Sequence, residues 1–135
     1  MRAIQAITKI HPLASAMFEQ FLFKAASNYI SAYNGGSWTS SKFGNFWIAL
    51  PPVDGGKIVM HNPDNGANVC TTNLSAGAVL TLKALNDTIW YIHGKFGDRA
   101  DNLVNRLSDL YHNMKDAIMT DSKTFDTVSI AKMID

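Results

Sequence analysis

Tyr33-Asn34-Gly35-Gly36-Ser37-Trp38 and, five residues further on, Gly44-Asn45-Phe46-Trp47-Ile48-Ala49-Leu50-Pro51 decide the fold of this chain. Before the glycine pair the large apolar residues Leu13, Met17, Phe18, Phe21, Leu22, Tyr29, Ile30 and Tyr33 recur at spacings that suit one face of a helix. Pro12 fits the first helical turn, where its missing N–H costs nothing. Gly35-Gly36 are expected to end the helix by allowing positive φ.

Beyond the pair the pattern changes. Trp38, Thr39, Phe46, Trp47 and Ile48 favour strands. Gly55-Gly56 and Asn62-Pro63-Asp64-Asn65-Gly66 read as turns on either side of Lys57–His61, and Ala67–Thr72 follows as a further strand. Such a sheet needs an apolar cover. Helices are expected from Ala76 to His93, with Ser75 as N-cap and Gly94 as stop, and from Asp98 through Leu103, Leu107, Leu110, Met114 and Ile118. A short last helix from Thr124 would turn Phe125, Val128, Ala131 and Ile134 inward. The fold class is α+β: a small antiparallel three- to four-stranded meander packed against three to four helices, in one domain over residues 1–135. Residues 1–11 are read as a flexible N-terminal segment.

Twelve Lys and Arg face eleven Asp and Glu, for a formal net charge of +1. This balance excludes a broadly basic nucleic-acid binder, and it equally excludes a polyanion that imitates DNA by its charge. The lone Cys70 rules out an intrachain disulfide and a multi-cysteine zinc site, which suits a cytoplasmic protein. No apolar run reaches the ~18–20 residues that cross a bilayer, and residues 1–10 lack the features of a secretory signal.

Chemical constellations are absent from the sequence. His11, His61, His93 and His112 are dispersed, without ligand spacing, and suit surface or capping roles. Cys70 has neither an activating base nor a cation beside it and reads as a partly buried residue. Gly55-Gly56-Lys57 lacks the remainder of a phosphate loop, and Asp64 lacks the acid pattern of a calcium loop. Asp98 and Asp101 suit a helix N-terminus, while Asp109 and Asp116 belong to a solvated face. No catalytic residue, cofactor or metal is expected.

The aromatic residues carry the functional hint. Trp38, Phe43, Phe46 and Trp47 can pack in a core, form a protein interface or stack bases. Base stacking requires a basic track beside the rings, and in the sequence only Lys42 and Lys57 lie near. Alternation leaves one face of Phe46-Trp47-Ile48 less buried, so Trp47 becomes a contact candidate.

Taken together these residues resemble the ArdB/KlcA family of antirestriction proteins. The family's Phe-Glu pair and Tyr-x-Gly-Gly-x-Trp motif are matched by Phe18-Glu19 and Tyr33–Trp38. Its Gly-Gly-Phe-Tyr-Met-Ala-Pro-like strand is similar to Gly44–Pro51, with Asn45 for the second glycine and Trp47 for tyrosine. Leu74-Ser75-Ala76-Gly77-Ala78 through Leu85-Asn86 and the ending Ile134-Asp135 follow in the family's order. The resemblance implies a non-catalytic phage or plasmid accessory protein that relieves type I restriction of incoming DNA by contacting a host restriction–modification or DNA-processing protein in the bacterial cytoplasm.

The contact candidates are therefore Trp38, Asn45, Trp47 and Asp135, and Tyr33, Gly35, Gly36 and Gly44 are structural. Two alternatives stand beside this reading. One is a nucleic-acid or DNA-end binder using the aromatic sheet face, which the charge balance disfavours. The other is a small hydrolase assembled from Asp, Asn and His. The sequence leaves the oligomeric state open.

Overall fold

The computed structural model describes residues 1–53 and 55–134. In chain order it has α1 (Arg2–Thr8), α2 (Pro12–Tyr29), β1 (Thr39–Phe43), β2 (Phe46–Leu50), β3 (Ile58–His61), β4 (Asn68–Thr71) and α3 (Asn73–Phe96). A 3-10 turn (Gly97–Ala100), α4 (Asp101–Met119) and α5 (Thr127–Ile134) complete it. The class is α+β.

The long helix α3 is the axis of the fold. From Ser75 to Leu82 every residue is buried, as expected of a helix covered on all sides. It packs against α2, α4, α5, β2 and β3. Facing it, α2 presents Ala14, Phe18, Leu22, Ala25, Ala26 and Tyr29, an unbroken stripe at helical spacing. Each large side chain so buried contributes about 1.5–3 kcal/mol of apolar transfer energy. Pro12 does open α2, and the His11 imidazole Nδ1 caps it by accepting from the Leu13 N–H at 3.1 Å.

Four strands form, but not one meander. β1 pairs with β2 and β3 with β4, giving two separate antiparallel hairpins among the described residues. Pro51 and Pro52 follow β2 directly; neither has an N–H to donate to a further strand. α3 takes the place of a third strand beside β2. The outer N–H of Ala49 donates to Thr81 Oγ1 at 3.0 Å, and the Ala49 carbonyl lies so close to Gly77 that a Cβ there would overlap it.

Several element ends differ from expectation, each for a local reason. α2 stops at Tyr29, because Ile30 turns extended and buries its side chain instead of continuing the helix. Gly35 and Gly36, at φ 89° and 118°, shape the connection to β1. Thr72, not Ser75, caps α3 by accepting from the Ser75 N–H at 3.2 Å. The Ser75 hydroxyl accepts instead from the Asp126 N–H at 2.9 Å. Gly94 lies inside the helix, and Gly97, at φ 57°, ends it. Asp98 falls in the 3-10 turn, so α4 begins at Asp101 without a side-chain cap.

Both termini of the described chain are tied down. Residues 2–8, expected to be flexible, form α1, which buries Ala3 and Ile7 and donates from the Ala3 N–H to Ser40 Oγ at 3.0 Å. α5 turns Ile130 and Met133 inward, not Val128, which is 65% exposed. Asp126 caps α5 by accepting from the Ser129 N–H at 3.2 Å, and Thr71 Oγ1 on β4 donates to its other carboxylate oxygen at 2.8 Å. At the far end of α5, Asn62 Nδ2 donates to the Met133 carbonyl at 2.8 Å and Asn65 Nδ2 to that of Lys132 at 3.0 Å. The β3–β4 turn is thus the C-terminal cap of α5, which neutralises carbonyls that the helix itself leaves unpaired.

Candidate functional site

Trp38 and Trp47, paired by sequence as contact candidates, occupy different surroundings. Trp38 precedes β1 and packs edge-on to Tyr33 (ring centroids 5.8 Å apart) and against Phe23 (5.7 Å). Its indole N–H donates to the Tyr33 hydroxyl at 3.2 Å. This pairing fixes the loop that Gly35 and Gly36 shape. A Cβ on Gly36 would press on the Pro52 ring at 3.1 Å. Tyr33 and Trp38 are both half-buried, so their outer edges face solvent.

Trp47 on β2 pairs across from Lys42 on β1 and shares a cleft of about 270 Å³ with Arg2, Gln5 and Ala6 of α1, with Lys9 at the C-cap of that helix, and with Asn45 of the hairpin turn. Gly44, at φ 57°, makes that turn and sets Asn45 at its tip. The Arg2 guanidinium lies 5.4 Å and the Lys42 ammonium 5.9 Å from the indole centroid, both within cation–π reach. Asn45 and Trp47 are therefore brought together and Trp38 is not. Asp135 lies outside the described residues.

A second surface was not legible in the sequence. α2, α3 and the β3–β4 turn frame two adjoining clefts that share Tyr29, Asp64 and Lys83. Their rim carries Trp90, 65% exposed, beside Tyr91 and Phe21. Lys83 pairs with Asp87 at 3.0 Å, one helical turn on. Burial opposes the Lys83 charge, yet the hydrogen bond to Asp87 and that carboxylate's charge hold the ammonium above its ordinary value. Burial raises the Tyr29 hydroxyl as well, so it stays neutral at physiological pH. Trp90 falls outside the buried stripe of α3, and no local motif surrounds it in the sequence.

The remaining sequence candidates stay apart. Cys70 is exposed, contrary to the partly buried position expected, because the pleat of β4 turns Val69 and Thr71 inward. His61 Nδ1 lies 2.7 Å from Asn68 Oδ1 across the hairpin. His93 lies in the last turn of α3, close to Trp90. Among the described residues no three His, Cys, Asp or Glu side chains gather as a metal cage, and no helix is long and apolar enough to cross a membrane.

No protein-family model matches the chain, and no curated protein matches it. Among solved structures it matches one of the KlcA and ArdB proteins, with a TM-score of 0.70 over 92% of this chain and 81% of the other, at 22% identity. The chain has the ArdB/KlcA-like fold. Those proteins are described as showing a novel fold and antirestriction activity against type I DNA restriction systems in vivo but not in vitro. In ArdB/KlcA-like terms, Tyr33–Trp38 is the connection from the second helix to the first hairpin, and Gly44–Pro51 is the turn and second strand of that hairpin.

Proposed function

We infer that the chain is a non-enzymatic anti-defence protein that relieves type I restriction of incoming mobile DNA in the cytoplasm of a bacterial host. The observation that carries this reading is the ArdB/KlcA-like fold over 92% of the chain, since the KlcA and ArdB proteins themselves have antirestriction activity in vivo. The formal net charge of +1 supports action through protein contacts, because mimicry of DNA by charge needs a strongly acidic surface. The partner is a host restriction–modification or DNA-processing protein. Trp38, Asn45, Trp47 and Asp135 are the proposed contact residues, and Trp90, 65% exposed, is proposed beside them as an aromatic of the kind that anchors interfaces.

The test is made in cells. Unmodified phage is plated on a host carrying a type I system, with and without expression of this chain. Plating efficiency should rise by an order of magnitude or more, and plating on a non-restricting host should not change. Unchanged plating against several type I systems, with the protein shown to be present and folded, would sink the proposal.

A further inference from the structure

The Trp47 cleft is basic, with Arg2 and Lys9 in its lining. Arg2 and Ala6 lie on one face of α1 and Lys9, its C-cap, continues that face at helical spacing, while Ala3 and Ile7 bury the opposite face. Lys42 approaches the indole from β1. Two cations therefore lie over one aromatic ring, a third, Lys9, lines the cleft beside it, and no carboxylate is among the lining residues. The chain's even balance conceals this arrangement: residues 1–53 hold Arg2, Lys9, Lys24 and Lys42 against one acid, Glu19. By contrast, Lys83 in the groove below Trp90 is already paired with Asp87, and Asp64 lies beside it.

We propose that the Arg2–Lys9–Lys42–Trp47 cleft binds a short stretch of single-stranded nucleic acid. Phosphates meet the three cations, an unstacked base meets the indole, and the Gln5 and Asn45 side-chain amides meet base edges. The basic track missing from the sequence around Trp47 is supplied by α1, some forty residues away in the chain. An acidic peptide would use the cations, and its backbone could meet the two amides, but its carboxylate side chains give the indole no flat ring to stack on. A duplex keeps its bases stacked inside, and it rewards a longer basic track than three side chains provide. The proposal stands independently of the antirestriction reading.

The test is a fluorescence-anisotropy titration of fluorescein-labelled dT8 with the intact chain at 20 and 150 mM NaCl. Three phosphate contacts to a single strand give a log–log salt slope of about −2, hence an affinity loss of roughly 70-fold between the two conditions. Arg2→Ala and Lys42→Ala, at exposed positions that the core does not use, should each flatten the slope by about 0.7. Trp47→Leu should weaken binding roughly 5- to 160-fold, the range for loss of one base–aromatic stack. Lys123→Ala, outside the cleft, should change nothing. Thermal melts establish that each variant is folded. The proposal is overturned if dT8 does not bind at 20 mM salt, or if folded Arg2→Ala and Lys42→Ala bind as the parent does. Equal binding of an eight-base-pair duplex or of octaglutamate also overturns it, the latter by showing a site for acidic protein segments.

Discussion

Replacing Gly77 with alanine adds one methyl group at the closest approach between α3 and β2. In an exposed helix the change from glycine to alanine stabilises by about 1 kcal/mol, through reduced backbone freedom in the unfolded chain. At Gly77 the new Cβ would overlap the Ala49 carbonyl oxygen and lie 3.1 Å from Leu50 Cδ2. The leucine can shift, but the carbonyl cannot easily. Ala49 is held on one side by its pairing opposite Ser40 and on the other by the 3.0 Å bond from its N–H to Thr81. Overpacking of this kind costs about 1–3 kcal/mol, and a clash with pinned backbone belongs in the upper half of that range. After the propensity gain, Gly77→Ala should destabilise by about 1–2 kcal/mol.

Gly94 is the internal control, because it lies in the same helix, is exposed, and has nothing within 4 Å of an added Cβ. Gly94→Ala should stabilise by about 0.8–1 kcal/mol. For a chain of this length 1 kcal/mol moves Tm by roughly 3–5 °C, so the two melts should straddle the parent and differ by roughly 6–15 °C. Differential scanning calorimetry with urea titration reads both changes. If Gly77→Ala melts at or above the parent, the helix is free to move off the strand and the account of this junction is wrong.

Thr81→Val keeps the side-chain shape but leaves the buried Ala49 N–H without an acceptor; it should cost about 1–3 kcal/mol in urea unfolding. Asp126→Ala removes the α5 cap and should cost about 0.5–2 kcal/mol at neutral pH. The hydrogen bond from Ser129, aided by that from Thr71, lowers the Asp126 carboxyl below its ordinary value of 3.8. A lowered folded-state value means that this stabilisation is present above the unfolded value and is lost as pH falls through the folded one, so parent and variant should converge in stability in strong acid. Asn62→Ala strips the Met133 carbonyl of its partner and frees the β3–β4 turn; unfolding should be easier by about 1–3 kcal/mol, and amide exchange at the end of α5 should accelerate.

What the sequence made legible follows from how locally each feature is determined. The stripe of α2 and the proline at its start need only the periodicity of one helix, and both strands of each hairpin stand beside their own turn residues. Element ends depend on competition. Ile30 leaves the helix because its side chain reaches the core, and Gly94 remains within α3 because an exposed glycine costs a long, well-packed helix only about 1 kcal/mol. The seven residues of α1 are too few to hold a helix alone. Their order comes from Ala3, Ile7 and the bond to Ser40, which are contacts across the fold.

The Trp47 cleft was illegible for that same reason. Its ring and one cation come from the hairpin, where Lys42 and Trp47 are cross-strand partners. The other two cations lie on α1 and at its C-cap, and no local pattern encodes the place of that helix beside the hairpin. Whole-chain charge cannot recover them either, since Arg2, Lys9 and Lys42 are offset in the total by carboxylates on other surfaces, such as Asp101, Asp109 and Asp116 along α4. These α4 carboxylates are exposed and face water. A net charge of +1 therefore constrains the molecule as a whole and leaves a patch of a few residues unconstrained. The exclusion of a broad nucleic-acid binder stands on the total. A local site stands or falls on which side chains α1 brings to Trp47.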